Sequence, residues 1–162
     1  MKKMLAFLLA SIILLSSFGC TTAARTSNTT VTPTPFTHVP QTLANTTWVL
    51  SSYGDTANMT PLLPNWKDIT LTFNSVADRY SGSDGLNLYG GNCSVQNDNS
   101  IIMFAATRTL LGVSDPGITK QLQNYYDLLE KASNYNISNT DLMINCSNGQ
   151  TLKFFLAIPT NK

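Results

Sequence analysis

The stretch "GSDGLNLYGG", Gly82 to Gly91, sets four glycines around a short run, "LNLY", that alternates like a strand. Glycine weakens a strand interior, and where it persists it marks a turn, a bulge or a close approach of another backbone. The sequence on either side is β. "DITLTFNS" (Asp68–Ser75) puts Ile69, Leu71 and Phe73 on one face and Thr70 and Thr72 on the other. Beyond the glycines the strand pattern runs on through "NCSV", a turn over Asn97–Ser100 and a short strand "IIMF". Beside an alternating strand the glycines leave three readings open, a catalytic loop, a ligand cradle or a bend. Asn87 is expected to be buried and to hold the turn by backbone hydrogen bonds, a ligand contact being the alternative.

Outward from that centre the pattern stays β with one exception. "TWVLSS" offers Trp48 and Leu50 on one face as a first strand, followed by a loop containing Gly54, Pro61 and Pro64. Asp115 is placed to cap a helix and Pro116 to start it, and Ile118, Leu122, Tyr125, Tyr126, Leu129 and Ala132 recur at helical spacing. At the C-terminal end, "DLMINCSNGQTLKFFL" is a hairpin turning at Asn148-Gly149. A two-residue turn would pair Ile144 with Lys153 and put a charge on the apolar face. A loop of Ser147 to Gly149 pairs Ile144 with Leu152 and Leu142 with Phe154, because a one-residue slip would turn every side chain over. Gly149 then takes the left-handed position.

The chain of 162 residues has 43% hydrophobic and 12% charged residues, enough apolar material for one core. Its formal net charge of +1 gives no basic stripe and no electrostatic case for nucleic acid. Lys2 and Lys3 precede a mainly apolar run, Met4 to Leu15, which has the form of a secretory leader. As a helix that run is about 18 Å long, short of the roughly 20 residues that span a bilayer. "SSFGC" follows, and a Gly-Cys here resembles a lipobox, with Cys20 diacylated as the mature N-terminus. Ser17 stands where lipoboxes prefer Leu; ordinary cleavage near Thr22 and Ala24 is the competing reading. Two acyl chains would give a stable membrane anchor.

The expected organisation is a leader over 1–19, a lipidated Cys20 with a Thr/Pro-rich tether over 20–43, a folded domain over 44–157 and a tail over 158–162. The tether contains "TPTP" at Thr32–Pro35 and too little apolar material to bury a core. This predicts an exported, lipid-anchored protein on the cell membrane or outer envelope, its domain facing away from the cytoplasm, as a monomer.

No catalytic constellation emerges. There is no G-x-S-x-G elbow, H-E-x-x-H or P-loop, and no motif for a metal or cofactor. The single histidine, His38, lies in the tether, so Cys93 in "GGNCS" has no His in the folded part to activate it. The carboxylates are scattered among turns and caps. Cys93 and Cys146 both alternate onto the inner face. In an exported chain they are either a disulfide, worth about 3–4 kcal/mol on the entropic account, or two buried free thiols. Trp66 in "PNWKD", Tyr53 and Tyr80 fall in or near loops and are candidates for a contact surface; Trp66 equally suits a cover over the barrel end.

The order of these motifs resembles the META domain, the HslJ-like family of small envelope proteins. It runs Trp48-Val-Leu, Ile69–Phe73, "SGSDGLNLYGG", Thr107–Leu111, a helix, "YNI" and "LMI…GQTLKF". The family pattern S-G-x-x-G-C-N-x-Y-x-G falls on Ser81, Gly82, Gly85, Leu86, Asn87, Tyr89 and Gly91, and T-x-M-x-C falls on Thr107 to Leu111. Both family cysteine positions are leucine here, which leads us to expect Leu86 and Leu111 to pack together where family members are thought to carry a bridge. The resemblance implies a mainly β, α+β fold: an antiparallel, cracked-barrel sheet with one packed helix. It brings associations with stress, motility or secretion but no reaction and no catalytic residue. A non-enzymatic binding or assembly module of the envelope follows, with a partner protein or an apolar ligand. The alternative is a lipid carrier like the pilot lipoproteins of secretion channels, and less favoured still is a carboxylate hydrolase.

Overall fold

The computed structural model describes residues 40–157. The expected leader, Cys20, His38, nearly all of the expected tether and the expected tail from 158 lie outside the described residues. Within them the chain forms ten strands and one helix. The strands are β1 (Thr47–Asp55), β2 (Asn58–Pro61), β3 (Thr70–Phe73), β4 (Arg79–Ser83), β5 (Leu88–Val95), β6 (Ile101–Met103), β7 (Thr107–Arg108), β8 (Ala132–Ser138), β9 (Asp141–Cys146) and β10 (Gln150–Leu156). The helix, α1 (Pro116–Leu129), comes between β7 and β8.

The sheet runs β6-β5-β4-β3-β1-β10-β9-β8 and is antiparallel throughout. Its two ends meet at one bridge, Ser100 with Asn134, reinforced by the Tyr135 N–H donating to Asn99 O at 2.9 Å. The result is a nearly closed, barrel-like sheet. Closure protects the edges that an open sheet would expose. On one side β1 is shared: Thr47–Val49 pair with β3, and Ser52–Asp55 pair with β2. The sequence pattern does not reveal β2. It is four residues long, ends in Pro61 and buries none of its side chains, so it has no alternation to read.

The alternating residues of β3, Leu71 and Phe73, do face the core, as does Ile69 just before the strand. The C-terminal hairpin has the expected register, Ile144 opposite Leu152 and Leu142 opposite Phe154, with Gly149 at φ +82°. Asp115 caps α1 by accepting the Gly117 and Ile118 N–H groups at 2.7 and 3.1 Å. The helix buries Leu122, Tyr125, Tyr126, Leu128 and Leu129 in the same core as Trp48, Leu50, Phe73, Ile144 and Phe154.

Two expectations are corrected, and of the two cysteine readings one is found. Tyr53 is buried in the core rather than exposed in a loop. A bulge between Leu50 and Ser52 inserts one residue into β1, so Tyr53 rather than Ser52 continues the inward face and pairs with Leu152. Tyr80 is buried too, its hydroxyl donating to Phe104 O. Cys93 and Cys146 are free thiols, not a disulfide. Each is buried and donates to a carbonyl at 3.2 Å, Cys93 to Ala77 O and Cys146 to Leu128 O. Burial pushes both thiols up to about 11, which leaves them poor nucleophiles.

Candidate functional site

The glycine stretch turns out to be a clamp. In β4 and β5 two of the three glycines face a tyrosine across the pair, Gly82 opposite Tyr89 and Gly91 opposite Tyr80, while Gly90 lies opposite Ser81. A Cβ on Gly82 would lie 1.9 Å from Thr70 O and 2.6 Å from the Tyr89 hydroxyl; one on Gly91 would lie 2.7 Å from the Tyr80 hydroxyl. The glycines are therefore needed for close approach of aromatic rings more than for bending. Tyr89 lies across Gly82, donates to Thr70 O at 2.5 Å and shares a 2.5 Å hydrogen bond with Tyr125 of α1. Its ring meets those of Tyr125 and Tyr126 edge-on, at 5.9 and 5.4 Å between centroids.

The turn between β4 and β5 is organised by Asp84, only 1% exposed. Its Oδ1 accepts the N–H groups of Leu86 (2.8 Å) and Asn87 (2.5 Å), and its Oδ2 accepts the Tyr126 hydroxyl at 2.9 Å. Its carbonyl accepts the Trp66 indole N–H at 2.9 Å. Half-buried Trp66 thus packs over the turn, serving as a cover rather than a free anchor. Gly85 beneath it has φ +89°, and a Cβ there would come within 2.7 Å of Trp66 Nε1. The Arg108 guanidinium stacks over the Tyr126 ring, 4.5 Å from its centroid. Burial raises the Tyr126 phenol well above its usual pKa, and its hydrogen bond to Asp84 pushes the same way, while Arg108 opposes both.

Asn87 carries the clamp across to the next segment. It is buried, its Oδ1 accepts the Leu111 N–H (2.7 Å) and the Thr109 hydroxyl (3.0 Å), and its Nδ2 donates to Leu111 O at 3.2 Å. The Thr109 N–H also donates to Leu88 O at 3.1 Å. Both neighbours of Leu110 are therefore fixed, yet Leu110 is 87% exposed and Leu111 62%. The expected burial of Leu111 against Leu86 in a repacked core is not found. The physical reason is that Asn87 grips the Leu111 backbone and leaves its side chain outside. Leu88, exposed on the adjoining strand, extends the apolar ridge. Leu110 and Leu111 also line a groove of about 340 Å³, together with Asp84, Asn87, Arg108, Val113, Leu122 and Gln123.

Residues 41–158 match the family described as META domain. The chain belongs to that family. No curated protein matches it. Among solved structures, this META domain is similar to an NMR structure of a protein from Burkholderia xenovorans, at 22% identity and a TM-score of 0.59, covering 72% of this chain and 85% of that one. A second NMR structure is similar at 18% identity and a TM-score of 0.55, covering 72% and 93%. At these identities the likeness concerns the fold alone. Within that fold, the sequence pointed to the glycines and Asn87. It missed Asp84, a turn residue by pattern, and Tyr126, an ordinary helix-face aromatic. The spacing of Asp84 and Asn87 within a glycine-rich turn was the available signal.

Proposed function

We propose that this META domain is a non-enzymatic binding module of the cell envelope, tethered to a membrane through a lipid on Cys20. Its ridge of Leu88, Leu110 and Leu111 and the adjoining groove meet a protein partner. The observation that carries this reading is the exposure of Leu110 between two clamped neighbours. Exposed apolar side chains on a fixed backbone are pre-organised for association, since little entropy remains to be lost on binding, and clustered exposed apolar surface marks interaction sites.

The chemistry of the buried groups supports a role without catalysis. Asp84 is the carboxylate nearest the groove, and its oxygens are engaged by Leu86, Asn87 and Tyr126. The thiols are buried and their pKa values raised. The tether rests on the leader-like run and the Gly-Cys at Cys20.

The test is a photo-crosslinking amino acid placed at Leu110, and separately at exposed Val76, in cells making the full chain. A discrete adduct at position 110 and none at 76 is expected. Equal labelling at both positions, or adducts to lipid alone, would overturn the partner reading in favour of non-specific contact or a lipid carrier. Intact mass of the membrane-extracted protein tests the anchor. An acylated Cys20 is expected, and a mature chain beginning downstream of it removes the tether.

A further inference from the structure

A second cleft, of about 380 Å³, lies between the β1–β2 hairpin and the first turns of α1. It shares no lining residue with the Leu110 groove: α1 presents Thr119, Leu122 and Gln123 to the groove, and Lys120, Gln121 and Asn124 to the cleft. Gln121 is 2% exposed, and its Nε2 has no hydrogen-bond partner among the described residues. The orientation of this amide is fixed, because Gln121 Oε1 accepts the Leu63 N–H at 2.7 Å. Rotating the group would set donor against donor. A buried amide N–H₂ with its carbonyl already occupied is incomplete without an acceptor.

The surroundings define that acceptor. Lys120 lines the cleft and has no carboxylate within 4.0 Å among the described residues, where the one salt bridge joins Lys153 to Asp141. Asn124, Thr60 and Tyr53 add an amide and two hydroxyls, and Pro61 and Leu63 add an apolar wall. No carboxylate lines this cleft. Asp115 caps the helix, and Asp127 lines, with Lys131, a recess that shares Tyr53, Thr60 and Asn124 with the cleft. A lone ammonium among neutral donors suits a singly charged, planar acceptor better than a dianion.

We infer that this cleft binds a small organic carboxylate with a short apolar stem. The carboxylate oxygens accept from Gln121 Nε2 and the Lys120 ammonium, and the stem lies against Pro61 and Leu63. The sense of the site is recognition: no bond is made or broken in it.

The experiment uses ¹⁵N-labelled chain beginning at residue 20 with Cys20→Ser, which retains every described residue. The described residues carry a nearly closed sheet and its whole core, so this chain folds without residues 1–19. Sodium hexanoate and methyl hexanoate are titrated while the Gln121 side-chain N–H₂ and the Leu63 and Lys120 amides are followed by NMR. Hexanoate is expected to shift these resonances saturably, and the ester is not. Lys120→Gln weakens hexanoate roughly fivefold, as loss of one partly exposed ion pair would. Gln121→Glu keeps the acceptor for Leu63 N–H, so the spectrum remains folded, but it abolishes binding by setting an anion in the site. The inference is overturned if hexanoate produces no saturable shift, if the ester binds equally, or if folded Gln121→Glu still binds. Because the two sites share no residue, none of these results bears on the Leu110 crosslinks.

Discussion

Replacing Asp84 by alanine tests whether the β4–β5 turn is a clamp. The substitution strips a common acceptor from the Leu86 and Asn87 N–H groups and the Tyr126 hydroxyl, with Asn87 and Tyr126 both buried. Each buried donor left without a partner costs about 1–3 kcal/mol. Removing the desolvated carboxylate returns part of that, so the net loss is about 3–5 kcal/mol, in the range for breaking a buried charged network. With a urea slope of about 1.5 kcal/mol/M, the midpoint falls by about 2–3 M. Asp84→Asn keeps an oxygen for the two backbone donors and lets the Tyr126 hydroxyl rotate to accept, so it costs only about 1–2 kcal/mol. Urea unfolding followed by circular dichroism and by the fluorescence of Trp48 and Trp66 reports both variants. A cycle with Tyr126→Phe isolates the side-chain bond, with a coupling of about 1–2 kcal/mol expected. An alanine variant within about 0.5 kcal/mol of the parent, the range of an ordinary surface change, would refute the clamp. So would an asparagine variant as damaged as the alanine one.

Gly82→Ala is expected to prevent folding, since its Cβ would lie 1.9 Å from Thr70 O, whereas Gly112→Ala, with nothing within 4 Å, changes the urea midpoint little. Burial raises the phenol pKa of Tyr89 and Tyr125 well above the ordinary 10.0. The unfolded chain then loses these protons first, so the stabilisation they give is complete below pH 10 and declines as pH rises past it. The slope is about 1.4 kcal/mol per pH unit for each group. Tyr125→Phe should flatten that alkaline decline, and an unchanged slope would count against the buried pair. A thiol reagent should label neither Cys93 nor Cys146 in the folded protein and both in urea, with reduced and oxidised samples identical in mass. Leu110→Ser should leave the unfolding free energy within about 0.5 kcal/mol of the parent while removing adducts from a crosslinker at Leu111.

What the sequence made legible follows from how local each signal is. The alternation of β3, the register of the C-terminal hairpin and the Asp115-Pro116 start of α1 are set by neighbours in sequence, and a reader of spacing recovers them. Tyr53 reads as a loop residue because the pattern of the first strand ends at Ser52; β1 runs on to Asp55, and its bulge between Leu50 and Ser52 inverts the parity so that Tyr53 turns inward. A bulge leaves no mark in an apolar-polar pattern. The core placement expected for Leu111, which is 62% exposed, failed for another reason. Positions matching a bridge in related proteins suggest a contact between side chains, but the Leu86–Leu111 region is joined by Asn87 and the backbone. Asp84, Tyr126 and Arg108 come from three separate segments and look, one by one, like a turn residue, a helix-face aromatic and a surface cation. Only the fold brings them together.

That division bears on how such a domain acquires a function. The tyrosines, glycines, Asp84, Asn87 and Trp66 satisfy one another and hold the 109–111 backbone, and in doing so they fix where Leu110 points without specifying what stands there. The same is true of the second cleft, where the Leu63–Gln121 bond fixes the amide but not its ligand. Substitutions in the clamp should therefore be read in stability, and substitutions on the ridge or at Lys120 in binding. The decisive comparison is Leu110→Ser against Asn87→Ala. Both weaken the ridge, but Asn87→Ala frees the Leu111 N–H and C=O from their side-chain partner and so must also lower the urea midpoint. If Asn87→Ala abolished crosslinking with stability intact, Asn87 would be touching the partner itself, and the separation of support from contact would fall.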